Sequence, residues 1–186
     1  MTARRLFVLA FAAALLAGFG CSNDSPTGGP TGPALACTDG GNAAANGVNT
    51  NCAGPVDSET ELVDIVIGGP AAGTTSLRGV NLDLTFDDTK LAFVPTTPAF
   101  ASPLFPNALI AVSSQLAPGR IVVSIQQPGS DPAVSVGPGQ HVVMSLKFKR
   151  APAATFTPTP IGIENTDATG ASAPISFASA TMIAYQ

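Results

Sequence analysis

The 186-residue sequence has no tryptophan, one tyrosine (Tyr185) and one histidine (His141). Of ten phenylalanines seven lie beyond the first twenty residues, and Phe86 and Phe148 fall on apolar strand faces. This leaves little with which to grip a crystalline polysaccharide through an aromatic strip, although a polar groove could still take glycans. His141 opens an extended stretch with no Gly-x-Ser-x-Gly segment to serve, and one histidine makes a poor metal set without borrowed carboxylates. Charge is also scarce, at 11% of residues, with 8 basic against 12 acidic side chains and a net charge of −4. No basic cluster exists to neutralise phosphates, which excludes nucleic acid as a partner. Beyond the first twenty residues no apolar repeat falls at helical spacing, and 17 Pro and 19 Gly oppose long helices. Cysteine is limited to Cys21, Cys37 and Cys52.

What is present begins with an export signal over residues 1–20. Arg4 and Arg5 precede an uncharged apolar run, Leu6 to Leu16, shorter than the roughly 20 residues needed to span a bilayer. The run meets "FGCSNDSPTGGPTGP". Gly20-Cys21 resembles the lipobox of bacterial lipoproteins, which implies a diacylglyceryl group on Cys21. Gly18 stands where that family usually has Leu, and Gly18-Phe19-Gly20 also fits an ordinary small-x-small cleavage site, so a freely secreted chain is the alternative. Lipid on Cys21 leaves an even pair, Cys37 and Cys52, for a disulfide in an oxidising compartment. Residues 21–36 then read as the lipidated cysteine and a Pro/Gly/Ser linker. By resemblance to lipoprotein sorting rules, Ser22 directs the anchor to the outer membrane or cell surface.

Residues 37–60 are a cysteine-bounded polar segment rich in Asn and Gly, read as turns. From Glu61 the texture is β. The extended stretches expected are 61–67, 80–86, 120–126, 141–149 and a single closing strand over 174–185. Val80, Leu82, Leu84 and Phe86 alternate with Asn81, Asp83 and Thr85; Ile121, Val123 and Ile125 share one face; so do Val142, Met144, Leu146 and Phe148. Turn segments such as "APGR" and "VGPGQ" separate them. The expectation is an all-β, two-sheet antiparallel β-sandwich over residues 61–186.

No nucleophile–base pair or facing carboxylate pair is legible, so the chain reads as a non-enzyme. Asp87 and Asp88 are the weak calcium candidates. As neighbours on an extended chain they point to opposite faces, and turn formation is the competing reading. No other cofactor is expected.

Three segments carry a family resemblance. "LRGVNLDLTFDDTKLAFV", then "GRIVVSI" with "GQHVVMSLKFK", then "TPIGIENTDATGASAPISF" are similar, in order and spacing, to segments of cohesin-like domains. These are a branch of the carbohydrate-binding-module type of β-sandwich, and the likeness covers residues 61–185. It implies a jelly-roll-like sandwich that presents a strand face to a partner, as cohesins do to dockerins, small helical modules that themselves carry calcium. The family normally opens with one more strand before 61. That strand is either hidden in the cysteine-bounded segment, or the sandwich is completed differently.

The resulting expectation is a membrane-anchored lipoprotein whose cohesin-like domain binds a dockerin-like or other exported protein. The alternatives are a carbohydrate-binding module serving polysaccharide breakdown and a structural envelope lipoprotein. Alternation makes Asn81, Asp83, Thr85, Ser124 and Gln126 the candidate partner-binding residues.

Overall fold

The computed structural model describes residues 34–95, 100–114, 117–152, 157–169, 176–177 and 181–185, so the expected export signal, Cys21 and the expected linker residues 22–33 lie outside them. Among the described residues the elements are all strands: β1 (Leu35–Thr38), β2 (Gly47–Asp57), β3 (Thr60–Gly68), β4 (Thr75–Leu77), β5 (Gly79–Thr85), β6 (Leu91–Val94), β7 (Leu109–Ser113), β8 (Arg120–Gln126), β9 (Val134–Val136), β10 (Gln140–Arg150), β11 (Thr159–Thr169), β12 (Ser176–Phe177) and β13 (Thr181–Tyr185). One six-stranded sheet runs β1-β13-β11-β5-β8-β7, and a five-stranded sheet runs β12-β2-β3-β10-β6. A small β4–β9 ribbon stands apart. Pairing is antiparallel except between β12 and β2, which are parallel, so the sandwich is not wholly antiparallel.

The alternating stretches build the two inner faces. Val80, Leu82 and Leu84 of β5 and Ile121, Val123 and Ile125 of β8 are all buried to 1% exposure or less. They join one apolar cluster with Val63, Ile65 and Ile67 of β3 and Met144, Leu146 and Phe148 of β10. Full burial of each such side chain contributes roughly 1.5–3 kcal/mol. Phe86 closes one end of the core, edge-on to Phe148 with ring centroids 5.3 Å apart.

Three expectations are corrected. On β10 a bulge between Val142 and Met144 breaks strict alternation: Val143 and Met144 are both fully buried, while Val142 is only half-buried. The extra residue resets the parity of the strand. The closing stretch 174–185 is not one strand, because β12 pairs with β2 in one sheet and β13 lies between β1 and β11 in the other.

The third concerns the linker's end and the cysteine-bounded segment. Leu35 and Ala36, expected in the linker, begin β1, with Leu35 in the core, and the segment from Cys37 completes β1 and supplies β2, so both belong to the sandwich. β2 pairs with β3 from Val48 to Asp57 despite Gly54 and Pro55, which are absorbed by register shifts at Cys52/Gly54 and Pro55/Asp57. Its Asn and Asp residues hold the intervening loop. Asp39 Oδ1 accepts the Cys52 N–H, and Asn49 Nδ2 donates to Gly41 O. The Gln140 side chain bonds both the N–H and the C=O of Ala43, at 3.0 and 2.9 Å. Cys37 and Cys52 form a disulfide with Cα atoms 5.7 Å apart. It ties β1 of the six-stranded sheet to β2 of the five-stranded one.

Candidate functional site

The outward side of β5 and β8 gathers the five side chains singled out by alternation. Asn81 stands opposite Ser124, Asp83 opposite Val122, Thr85 opposite Arg120 and Gly79 opposite Gln126. Period-2 geometry therefore puts Asn81, Asp83, Thr85, Ser124 and Gln126 on one face. Three of them interact: Asn81 Oδ1 accepts from Ser124 Oγ at 2.6 Å and from Gln126 Nε2 at 3.4 Å. These bonds hold the amide and hydroxyl groups in fixed orientations on an otherwise half-exposed surface.

Asp83 departs from the pattern. It is only 7% exposed, because the Arg120 side chain lies over it and its guanidinium Nη2 donates to Asp83 Oδ2. This hydrogen bond, and then the Asp83 charge, raise the guanidinium pKa above its ordinary value, with a smaller contribution from the Glu164 charge. Arg120 Nε is buried with no hydrogen-bond partner. The charge this face offers is thus Arg120, with the exposed Glu164 of β11 placed opposite Asp83. Asp83 positions the arginine.

On the far side of β8 the face turns apolar. β7 places Leu109 opposite Gln126 and Ala111 opposite Ser124, and Leu109 is 70% exposed. Arg120, Glu164 and Leu109 were not among the residues expected. Arg120 shares the parity of Ser124 and Gln126 and was legible by alternation. Leu109 was not, since an exposed leucine has the sequence appearance of core.

At the end of β5 a cleft of about 360 Å³ is lined by Thr85, Phe86, Asp87, Lys90, Pro160 and Gly162, among others. Asp87, one of the two calcium candidates, is engaged in the turn. Its Oδ1 accepts from Thr89 N at 3.0 Å and Thr89 Oγ1 at 2.5 Å, and its Oδ2 lies 3.2 Å from Lys90 Nζ. The Thr89 hydroxyl bond, above all, holds this carboxyl below the ordinary aspartate range. Asp88 is exposed. Among the described residues no group of three or more His, Cys, Asp or Glu is arranged to hold a metal ion. His141, the second residue of β10, is half-buried, and its Nε2–H donates to Gly137 O at 2.9 Å.

No protein-family model matches the sequence, and no curated protein matches it. Solved structures do. The chain is similar to a type II cohesin domain from the cellulosome of Acetivibrio cellulolyticus, with a TM-score of 0.51, 14% identity, and 73% of this chain and 93% of that one covered. It is similar to CaCohA2 of Clostridium acetobutylicum in complex with CaDoc0917, at TM-score 0.50 and 14% identity over 70% and 94%. A type II cohesin–X-dockerin complex from A. cellulolyticus matches at TM-score 0.50 and 11% identity, over 70% and 93%. The fold is the cohesin-like β-sandwich.

Proposed function

We propose that this chain is a non-catalytic docking module that receives a small exported protein of the dockerin class on the outer face of β5, β8 and β7. The observation that carries the reading is the composition of that face. Hydrogen-bonded Asn81, Ser124 and Gln126 lie between an arginine held by Asp83 and an exposed leucine. Pre-oriented polar groups beside an apolar anchor suit a protein partner, because little side-chain freedom is lost on binding. The fold adds support by analogy, since one of the similar structures is a complex with a dockerin. In this reading the calcium belongs to the partner, and lipid on Cys21 holds the module at the outer membrane or cell surface.

The test uses the immobilised chain and the source cell's exported proteins, with calcium and with a chelator. The expected result is retention of a protein carrying duplicated acidic loops, lost with chelator and lost with Leu109→Asp. Retention that ignores Leu109→Asp would move the docking site elsewhere. Capture of soluble polysaccharide instead would put a carbohydrate-binding module in its place. For the anchor, Cys21→Ser should shift the chain from the membrane fraction to the soluble one.

A further inference from the structure

Among the described residues, β7 is the outermost strand of the six-stranded sheet and pairs on one side only, with β8. Every exposed sheet edge offers unpaired N–H and C=O groups to another strand, and proteins usually blunt such edges with charge, proline, shortness or a covering segment. The other edges here are blunted. β1 is tied to β2 by the disulfide, and its Leu35 N–H bonds Ser58 O at 2.8 Å. β6 has four residues and is followed by Pro95, while β12 has two. β7, Leu-Ile-Ala-Val-Ser, has five residues with no charge, proline or glycine.

The core is also open on this side. Ile110 and Val112 point inward, opposite Ile125 and Val123. Those β8 partners are completely buried, whereas Ile110 and Val112 are only half-buried. A further strand beside β7 would cover them, as β8 covers its own neighbours.

We infer that a second copy of this chain supplies that strand, β7 pairing antiparallel with β7 about a two-fold axis at Ala111. The strand is self-complementary in this register. Ile110 meets Val112 of the other copy on the inner side, twice. Leu109 meets Ser113, and Ala111 meets Ala111, on the outer side. No like charges come together, although the chain as a whole is acidic. A two-fold edge contact is isologous and closes at the dimer. It runs the two six-stranded sheets into one and turns both outer faces the same way, so a dimer would present two docking faces side by side. This inference stands on the edge strand alone and does not require the docking reading.

The register makes a covalent test available on the full chain. Directly opposed residues in an antiparallel pair have Cα atoms about 4.5–5.5 Å apart, within the range that a disulfide bridges. Ala111→Cys should therefore convert the chain to a disulfide-linked dimer on a non-reducing gel. Thr89→Cys, exposed in the β5–β6 turn and carrying the same native cysteines, should not. Adding Leu109→Lys and Ser113→Lys to Ala111→Cys sets lysines opposite one another, and the dimer should be lost. Cross-linking of Ala111→Cys no greater than that of Thr89→Cys overturns the inference, and so does a dimer that the two lysines leave undiminished.

Discussion

Glu61 of β3 stands directly opposite Phe148 of β10, and both are shut off from solvent, with Glu61 at 2% exposure. Glu61 shares the parity of Val63, Ile65 and Ile67, so a carboxyl occupies a core-facing position at the end of the sandwich. Its Oε2 is buried without a hydrogen-bond partner. Beside it, a cleft of about 310 Å³ runs past Leu35, Pro55 and the Cys37–Cys52 disulfide.

Burial pushes the Glu61 carboxyl above the ordinary glutamate pKa. An acid whose pKa is raised in the folded state ionises more readily in the unfolded chain. Rising pH therefore favours unfolding from the ordinary glutamate range upward, until the raised folded value is passed. Glu61→Met removes both the charge and the unsatisfied oxygen. It should stabilise the protein by about 1–3 kcal/mol at neutral pH, and by less in acid. Melting temperatures of the two proteins between pH 4 and pH 8 check this; a difference that stays constant with pH contradicts it.

The disulfide closes a loop with a sequence separation of 15 and joins the two sheets. Replacing Cys37 and Cys52 by Ser should cost on the order of 3 kcal/mol in the chain-entropy model while leaving the sandwich folded. Urea unfolding followed by circular dichroism reads both quantities. An unchanged midpoint would remove the disulfide from the stability account.

Gly119 is the third residue of the "APGR" turn, at φ +66°, and a Cβ there would lie 2.3 Å from the carbonyl oxygen of Phe86. That same turn accepts the Phe86 N–H on Gly119 O at 2.9 Å. Gly119→Ala should destabilise by at least about 1–2 kcal/mol from the left-handed backbone alone, and by more because a backbone atom must shift. Ala117→Gly, in the same turn, is the comparison. Equal stability of the two variants would deny Gly119 its special role.

Leu109 lies on the outer face at 70% exposure. Leu109→Asp should change folding stability by no more than about 0.5 kcal/mol, while abolishing partner retention. A melting curve and a binding curve on the same sample separate the two effects; loss of both together would make Leu109 a structural residue.

Much of this architecture is legible in the sequence. β5 and β8 alternate so regularly that their faces follow from side-chain polarity, with β8 ending where expected and β5 shifted by one residue to Gly79–Thr85, and the shared face of Asn81, Ser124 and Gln126 follows with them. Asp83 also falls on that face by period, but its burial does not follow from period. The covering group is Arg120, opposite the next outward residue of β5, and only pairing of the two strands brings the ions together.

The least legible parts are those whose strand character comes from a partner. β2 contains Gly54, Pro55 and several Asn, a turn composition, and becomes a strand because β3 supplies its hydrogen bonds through two register shifts. Asn49 and Thr50, polar in sequence, are fully buried: Asn49 Nδ2 donates to Gly41 O in a loop brought over β2, and Thr50 Oγ1 donates to Ile161 O of β11 in the other sheet. β7 is the opposite case: it was not among the extended stretches expected, and its position at the sheet edge leaves Leu109 in water. By itself the sequence determined the all-β class, the inner and outer faces of the regular strands and the pair of cysteines available for bonding, since these depend on local alternation and composition. Tertiary structure alone decided which strands lie at the edges, which sheets the disulfide joins and which charged groups meet, because each depends on residues distant in the chain being brought into register.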